Sequence, residues 1–566
     1  MSRTWAAGAR ILAAVLGAAL LSACGHGSAP GLPVGLGPAT PATLNINWGA
    51  DPPGLNSLTA TNSVSFDVLN QVMEGLTRLD AQGTPAAAIA RTWDISADGT
   101  TYTFHLRDAQ WSNGDPVTAE DFLYAWRQAL DPRTGAQYAY QLQYIRGAAA
   151  LIGLHLPDAH LDPSAYATAV GQIGQLEAAL GVAAPDDHTL VVHLAKSAPF
   201  WLGLTAFPTY FPADEARVSA WGMDTYGTDV AHLVFDGPFV ITAWVRKDHL
   251  DLTKNARYWD AASVQLGGVH GVMVADAATV DNLYRSGALD ALIPAISPAF
   301  LQEYQGKPGF QASAAAAVSF LQFNVQMQAF SNPLVRRAFS EAIDRAALVT
   351  AAAPGSTPAF AYTPPTIDYA PGRAFTGPVG QVLPTSADPA RAKADLAAGL
   401  QQLGLTALPH VTLLAGNTSG MQLQSAALQG MFHENLGVSV DVQTVDLQTF
   451  LADMRQTKFG IILSGWNADY DDPTTFLDLW DHPGGFNVGG WSDARYTDDL
   501  QAARVETDAA KRGADLAAAE KELLAQLPIV PLYWQTRHWI TRANVHGLVF
   551  SLIGPDYSLK DATKTP

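Results

Sequence analysis

Three carboxylates lie close together in the segment GWNADYDDPTTFL, at Asp469, Asp471 and Asp472. Carboxylates at this spacing suit three kinds of chemistry: acid–base catalysis, coordination of a hard cation such as calcium, and pairing with an organic cation. The residues around the three carboxylates must decide which of these the sequence supports.

A calcium loop is only partly matched. Asn467, Asp469 and Asp471 follow the spacing that opens an EF-hand loop, and Asp478 would be its twelfth residue. The sixth position holds Asp472, where that loop requires glycine, and a proline comes next. We therefore expect no metal at this segment.

Motifs for catalysis are not completed anywhere in the sequence. There is no GxSxG elbow, and His433-Glu434 is followed by Asn435-Leu436-Gly437, which breaks the HExxH zinc motif. Neither a Walker loop nor a dinucleotide-binding loop occurs. Because no nucleophile accompanies the carboxylates, we expect a protein that is not an enzyme and carries no cofactor.

The elements that would position the carboxylates can be predicted from the local pattern. The apolar run Ile461-Ile462-Leu463 is typical of a strand buried on both faces. Ligands of open α/β sheets bind beyond the carboxyl ends of strands, so the loop after this run is well placed for binding. Asp472 followed by Pro473 is typical of a helix N-cap with proline in the first turn. Asp472 therefore has a structural explanation, whereas Asp469 and Asp471 do not.

Elsewhere, strand and helix patterns alternate along the chain. Period-two alternation of apolar residues predicts strands at 102–106, 190–194 and 438–442. A capping box at Thr118 and Asp121, followed by an apolar stripe, predicts one helix, and amphipathic patterns predict others at 389–403 and 509–524. The fold class is therefore α/β, or mixed α+β, and 566 residues are enough for two or three domains.

Charge and the N-terminal sequence indicate where the protein works. The formal net charge of −19 argues against nucleic acid as a partner. Arg3 and Arg10 precede an apolar run over residues 11–21, which is too short for the ~20 residues of a membrane-spanning helix but typical of a signal peptide. The run ends in LSAC, which resembles a lipoprotein lipobox and implies lipid on Cys24, the only cysteine. We expect a signal peptide at 1–23, a Gly/Pro-rich tether at 24–43 and an extracytoplasmic, lipid-anchored protein.

Longer motifs, spread over the chain from about Leu44 onward, resemble the family 5 extracellular solute-binding proteins, the oligopeptide- and dipeptide-binding group of peptide ABC transporters. Four carry most of the resemblance: MEGLTRLD, YTFHLRDAQWSNGDPVTAEDF, VRRAFSEAIDR and GWNADYDDPTTFL. The resemblance implies a two-lobed periplasmic-binding-protein-like fold that closes about a hinge, with an extra domain inserted in the first lobe. The expected boundaries are lobe I at 44–78, 213–316 and 536–566, the insertion at 79–212, and lobe II at 317–535.

The same resemblance implies which residues bind the ligand. A peptide recognised regardless of sequence must be held by its backbone and its termini, and an enclosed ammonium needs a counter-ion, since an unpaired buried charge costs roughly 3–5 kcal/mol. The resemblance implies that Asp469 is that counter-ion. It implies that Gly465, Trp466 and Asn467 form a strand that pairs with the peptide, with the tryptophan as a wall, and that Ser63, Val64 and Ser65 form a second strand from the opposite lobe. It also implies that Tyr138 (or Tyr140) and Asn487 lie near the ligand.

Two features depart from the well-studied oligopeptide binders. Those proteins join two positions by a disulfide, whereas Ala317 and Asn467 occupy the apparent equivalents here. They also carry an arginine that helps hold the peptide carboxylate, and the matching residue is Leu463. The resemblance therefore implies a peptide ligand but leaves its length and the partner of its carboxyl end open.

The sequence thus predicts an extracytoplasmic lipoprotein that delivers short peptides to an ABC importer. Its expected partners are short peptides, the permease subunits and the membrane through Cys24; nucleic acid is not expected, and the protein is expected to be a monomer. Two alternatives share the fold: a family member that binds a non-peptide solute such as a sugar or metal chelate, and a receptor for signalling or cell-wall peptides.

Overall fold

The computed structural model describes residues 42–293 and 296–565. The predicted signal peptide at 1–23, the lipidation site Cys24 and the tether up to residue 41 lie outside the described residues. The first strand begins at Thr43, the last residue of the predicted tether. In the part of the chain that is described, no helix combines the length and the apolar character needed to cross a membrane.

The first stretch of the chain contains a complete four-stranded antiparallel sheet. Up to residue 212 the elements are β1 Thr43–Asn47, α1 Ser63–Val72, β2 Thr77–Leu79, β3 Pro85–Ala87, β4 Ala90–Ile95, β5 Thr101–Leu106, α2 Ala119–Leu130, a 3-10 helix Gln137–Tyr144, α3 Ala148–Ile152, α4 Pro163–Ala178, β6 Val182–Asp186, β7 Thr189–His193, α5 Trp201–Leu204 and a 3-10 helix Pro208–Tyr210. The sheet has the order β4-β5-β7-β6, and all its strands fall within the predicted insertion. The predicted strands at β5 and β7 and the capping box of Thr118 and Asp121 are confirmed.

The second stretch contributes a sheet that includes the first strand of the chain. Its elements are α6 Glu215–Trp221, a 3-10 helix Val230–His232, β8 Phe239–Val245, β9 His249–Lys254, β10 Gly268–Val272, α7 Ala277–Ser286, β11 Ala291–Leu292, α8 Pro298–Tyr304 and β12 Phe310–Phe323. The order is β1-β10-β9-β8, in which β1 runs parallel to β10 and the other pairs are antiparallel. Segments far apart in sequence therefore share one sheet.

The third stretch builds the sheet that carries the acidic segment. Its elements are α9 Gln328–Ser331, α10 Pro333–Glu341, α11 Arg345–Ala352, β13 Thr357–Pro358, β14 Asp368–Ala370, β15 Arg373–Ala374, α12 Thr376–Val379, α13 Pro389–Leu403, β16 Val411–Gly416, α14 Ser419–Met431, a π-helix Phe432–Leu436, β17 Val440–Val445, α15 Leu447–Arg455, β18 Ile461–Asn467, α16 Thr474–Leu477, a 3-10 helix Asp478–Trp480, α17 Ala494–Val505, α18 Ala509–Gln526, β19 Ile529–Thr541, β20 Val545–His546, β21 Val549–Phe550, β22 Tyr557–Ser558 and β23 Thr563–Lys564. The sheet has the order β11-β19-β12-β18-β16-β17, and β13 pairs with β19. The helix predicted at 389–403 is α13, and the one predicted at 509–524 is α18, which extends two residues further. The strand predicted at 438–442 is β17, which begins at Val440.

Strand β18 lies inside this sheet as the apolar run predicted. Ile461, Ile462 and Leu463 are fully buried, between the antiparallel β12 and the parallel β16. Strands β16, β17 and β18 run in the same direction, so their carboxyl ends meet at one edge. The acidic segment begins at that edge. Ala317 and Asn467, the apparent disulfide equivalents, lie directly opposite each other on β12 and β18.

The predicted lobe boundaries at 316/317 and 535/536 fall inside β12 and β19, which pair with each other. The register between these two strands shifts between Ala314 and Val318, beside the first boundary. The two predicted boundaries therefore lie side by side in one strand pair. The boundaries themselves stay a prediction.

Candidate functional site

Strand β18 has one paired edge and one open edge at its carboxyl end. It pairs with β12 throughout, but with β16 only at its first two residues. The backbone N–H of Ala468 donates to the carbonyl of Ala316 across the ladder at 2.8 Å. Because antiparallel residues alternate in the direction of their backbone groups, Gly465 and Asn467 direct theirs away from β12. No strand among the described residues pairs with that edge.

Asp469 is a buried carboxylate at the end of this edge. It is 4% exposed, and its Oδ2 accepts a hydrogen bond from Nε2 of Gln141 at 2.7 Å. Its backbone N–H donates to Oγ1 of Thr475 at 3.0 Å, which fixes the turn after β18. Burial raises the pKa of Asp469 well above its usual range, and the Gln141 bond offsets part of that rise. Within 42–293 and 296–565, no basic side chain forms an ion pair with it.

The other two carboxylates of the segment already have partners. Both oxygens of Asp472 accept from the Arg512 guanidinium at 2.8 Å, and Oδ1 also accepts from the backbone N–H of Thr474 at 3.0 Å. Asp472 thus stabilises the first turn before α16, although the helix itself begins at Thr474 rather than directly after it. Asp471 accepts the backbone N–H of Asp368 at 3.2 Å. The three carboxylates therefore bind three different partners and do not converge on one point. In the described part of the chain, no cluster of His, Cys, Asp or Glu has a metal-binding arrangement.

A second buried carboxylate, Asp478, contacts the 3-10 helix Gln137–Tyr144, the helix that also contains Gln141, the partner of Asp469. Its Oδ2 accepts from the Tyr144 hydroxyl at 3.0 Å and from Nε2 of Gln143 at 3.1 Å. Its Oδ1 accepts from Arg504 at 2.7 Å, and Arg504 also donates to Asp481 at 2.8 Å. The helix Gln137–Tyr144 is thereby bound to the segment after β18 at two points.

An aromatic cluster encloses the site on one side. The ring of Trp466 stacks on Tyr138 at a centroid distance of 5.8 Å, and Phe486 packs edge-on against both rings at 4.7 and 5.1 Å. Burial, and then the nearby charge of Asp469, raise the pKa of both Tyr138 and Tyr140 well above the usual range. The indole Nε1 of Trp466 and the hydroxyl of Tyr140 are buried and have no hydrogen-bond partner among the described residues. Trp466 and Tyr138 are thus brought together beside Asp469.

The expected second strand at Ser63, Val64 and Ser65 is wrong, because these residues form the first turn of α1. Asn62 caps that helix by accepting the backbone N–H of Ser65, and the Ser65 hydroxyl donates to the carbonyl of Gly54. An asparagine whose side chain accepts the backbone N–H three residues later is a helix-start signal. This local cap determines the structure here, so the strand implied by the resemblance does not form. Ser63 still lies near the site, since its Oγ accepts from Asn467 Nδ2 at 3.4 Å.

Asn487 is engaged within its own loop. Its Nδ2 donates to the carbonyls of His482 and Trp491 at 3.0 and 2.8 Å, and its Oδ1 accepts the backbone N–H of Trp491 at 3.2 Å. The amide therefore holds the loop that presents Phe486, and the structure does not bring it into the Asp469 site as a free polar group.

Sequence reasoning missed Gln141, Phe486 and the pair Gln143 and Tyr144. Gln141 and Tyr144 lie in the segment AQYAYQLQY, of which only Tyr138 and Tyr140 match the family's ligand loop. The density of polar and aromatic residues in a short, structurally irregular stretch was the available signal. Nothing in one sequence shows that a glutamine there would reach a carboxylate more than 300 residues later.

Comparisons with known proteins identify the family. A profile of the bacterial extracellular solute-binding proteins, family 5 Middle, matches residues 84–488. The chain belongs to this family, as the motifs predicted. It is 33% identical over 551 residues to the oligopeptide-binding protein OppA of Bacillus subtilis (strain 168), covering 95% of this chain and 96% of that protein. It is 32% identical over 550 residues to the dipeptide-binding protein of Lactococcus lactis subsp. cremoris (strain MG1363), covering 94% and 96%.

Solved structures agree as well. Listeria monocytogenes OppA bound to peptide matches with a TM-score of 0.83 at 30% identity, covering 93% of this chain and 100% of that one. The predicted mixed α/β fold of the two-lobed periplasmic binding type is therefore confirmed. The family is one of extracellular solute-binding proteins, which places this chain among binding proteins that act outside the cytoplasm.

Proposed function

We propose that this protein captures short peptides between its two lobes and delivers them to an ABC importer. The observation that carries the proposal is Asp469, a carboxylate buried at the carboxyl end of β18 with no basic partner among the described residues. A buried charge is costly unless it is paired, so such a group favours a ligand that brings its own cation. The α-ammonium of a peptide is that cation.

The open edge of β18 supports the same ligand. Gly465 and Asn467 direct their backbone groups away from β12, where an extended chain can pair with them by strand addition. Main-chain pairing is independent of side-chain identity, which suits a binder of many peptides. Asp469 follows this edge by two residues, so a peptide paired antiparallel to β18 would present its amino end to the carboxylate. The aromatic cluster of Trp466, Tyr138 and Phe486 supplies the adjoining wall.

Other ligand classes suit the site less well. A neutral sugar would leave the Asp469 charge unpaired, and an anionic solute would be repelled by it. The carboxylates are held by Gln141, Arg512 and Arg504 in separate directions, with no nucleophile among them, so we propose binding without catalysis. A receptor for signalling or cell-wall peptides would use the same site and differ only in what happens after capture.

We further propose that residues 1–23 direct export and that Cys24 carries the lipid that anchors a monomer at the membrane surface. Support comes from the apolar run that ends at Cys24 and from the absence of any other cysteine in the sequence. The permease of the importer would then meet the folded body at that surface.

Native mass spectrometry of the protein purified without added ligand tests the ligand class. A mixture of short peptides retained by the protein is expected. A single non-peptide species would contradict the proposal.

Asp469→Asn tests the residue. We expect the affinity of this variant for peptides with a free amino end to fall by roughly thirtyfold or more, because removing one partner of a buried charge pair costs about 2–5 kcal/mol. Its affinity for N-acetylated peptides should change little. Asp471→Asn, in the same segment but bonded to the backbone of Asp368, is the matched control and should leave both affinities unchanged. Equal effects of the two substitutions would remove the assigned role of Asp469.

A further inference from the structure

Gln141 occupies a special place in the 3-10 helix Gln137–Tyr144. Its side chain is fully buried, and its backbone carbonyl accepts the Tyr210 hydroxyl at 2.7 Å, which holds the residue in position. Its Nε2 donates to Oδ2 of Asp469 at 2.7 Å. The donor half of the amide is therefore used, and its orientation is determined, because turning the amide would place two oxygens against each other.

The acceptor half of the same amide is not used. Oε1 of Gln141 and the hydroxyl of Tyr140 are both buried, and neither forms a hydrogen bond of normal geometry within the described residues, although the two side chains lie near each other. Leaving buried polar atoms unpaired costs free energy, so each such group calls for an explanation. Within one amide, Oε1 lies a short distance from the Nε2 that touches Asp469. Three acceptors thus lie in one buried region: the Asp469 carboxylate, Gln141 Oε1 and the Tyr140 hydroxyl oxygen.

We infer that Gln141 is a specificity-determining residue that makes the Asp469 site selective for an unsubstituted primary ammonium. This inference rests on the proposed function, since it concerns the amino end of a bound peptide. A primary ammonium carries three N–H donors and can satisfy all three acceptors. An N-methylated amino end carries only two N–H donors, so it would leave one acceptor unpaired, and it adds a methyl group to a buried polar site. An N-acetylated end has lost the charge and keeps a single N–H.

The amide acts in a second way, as a positioning group for the carboxylate. Because its N–H holds Oδ2, the ligand would meet Oδ1 in a defined orientation. The same bond lowers the pKa of Asp469 against the effect of burial, so it keeps the carboxylate ionised to a lower pH. Losing the amide should therefore change both the selectivity and the pH dependence of binding.

Gln143 offers a matched control. It lies two residues away in the same 3-10 helix and donates through the same kind of amide to Asp478 at 3.1 Å. A substitution there removes a comparable contact between the helix and the segment after β18, but at a carboxylate that already has Arg504. Effects that arise merely from loosening the helix should therefore appear in both variants.

The experiment is a competition among a library of tri- to pentapeptides, each present in free, N-methylated and N-acetylated form, with the retained species quantified by mass spectrometry. Wild type should prefer free over N-methylated peptides by roughly ten- to a hundredfold, the range of a hydrogen bond to a charged group. Gln141→Met should reduce this ratio to within about threefold while keeping the preference over N-acetylated peptides, which depends on Asp469. Gln143→Met should leave both ratios as in wild type.

Two further measurements guard against a trivial loss of folding. Gln141→Met and Gln143→Met should lower the free energy of unfolding by similar amounts, since each removes one amide hydrogen bond to a buried carboxylate. The affinity of Gln141→Met for free peptides should also begin to fall at a higher pH than that of wild type, and that of Gln143→Met should not. An unchanged ratio and pH profile in Gln141→Met would overturn the inference, whereas wild type that retains no library peptide in any form would overturn the proposed function itself.

Discussion

Asp469 and Asp478 are two buried carboxylates on either side of α16, and both receive a hydrogen bond from the 3-10 helix Gln137–Tyr144. They differ most in their cationic partners. Asp478 is paired with Arg504, which also holds Asp481, whereas Asp469 has an amide and no cation among the described residues. The two carboxylates thus share an environment and differ in charge balance.

The difference separates structural from functional charge. A buried ion pair whose remaining oxygens accept further hydrogen bonds is a finished structural unit, and removing either partner exposes the other to the full cost of burial. A buried carboxylate without a cation makes the protein less stable when it is ionised, and carboxylates with perturbed pKa values cluster at functional sites. For both carboxylates burial raises the pKa, but only at Asp478 does an arginine oppose the rise.

The largest expected effect breaks the structural pair. Arg504→Leu should lower the free energy of unfolding by about 3–5 kcal/mol, because Asp478 and Asp481 would lose their buried counter-charge. Denaturant unfolding at pH 7 measures it. Arg495→Leu, in the same helix α17 but in an exposed pair with Glu522 at 3.7 Å, is the control and should cost no more than about 1 kcal/mol. Equal losses for the two variants would show that the Arg504 pair is no structural unit.

Asp469→Asn should behave in the opposite way in the same unfolding measurement. The folded-state pKa of Asp469 is raised, so folding binds its proton more tightly and stability falls as the pH rises from the unfolded-state pKa of about 4 toward the folded-state pKa. Removing the carboxylate should abolish that loss, and the variant should be at least as stable as wild type at pH 7. A marked destabilisation would mean that Asp469 is a structural charge like Asp478.

The next effect concerns ligand binding and pH. An ammonium requires the ionised form of Asp469, so affinity for peptides with a free amino end should fall about tenfold per pH unit below the raised pKa of that group. It should also fall above about pH 8, where the peptide ammonium loses its proton. Isothermal titration calorimetry between pH 4 and 9 would give this bell-shaped profile. N-acetylated peptides serve as the control and should show neither limb; the same profile for both would contradict an ammonium at Asp469.

Much of the scaffold could be predicted from the sequence because local patterns determine it. The run 461–463 predicted a strand buried on both faces, and β18 is that strand in the interior of a sheet. Period-two alternation and a capping box predicted β5, β7 and α2. The resemblance even placed Ala317 and Asn467 at equivalent positions, which face each other on β12 and β18. These features depend on neighbours in sequence or on long motifs.

The site could be predicted only in part, because its contacts join distant segments. Asp469 was identifiable from its position after a buried strand, but its partner Gln141 lies in an irregular helix with no periodic signal. Ser63 was assigned to a strand by resemblance, while the local cap at Asn62 begins a helix there. The Arg512 and Arg504 partners, likewise, are single residues on α18 and the end of α17. Burial and pairing of charges are properties of the packed chain, not of any one segment.

The smallest expected effect compares two tyrosine hydroxyls, one beside Asp478 and one near Asp469. Tyr144→Phe should lower the free energy of unfolding by about 1 kcal/mol, since it removes one hydrogen bond to Asp478 while Arg504 still balances the charge. Tyr140→Phe, in the same 3-10 helix, removes a buried hydroxyl that has no partner among the described residues and should cost less or even stabilise the protein. Thermal unfolding of both variants measures the difference. A larger loss of stability for Tyr140→Phe in the absence of ligand would mean that the Tyr140 hydroxyl stabilises the fold, as the Tyr144 hydroxyl does. The Asp469 site would then not depend on a ligand to satisfy its polar groups, and its distinction from the Asp478 site would fail.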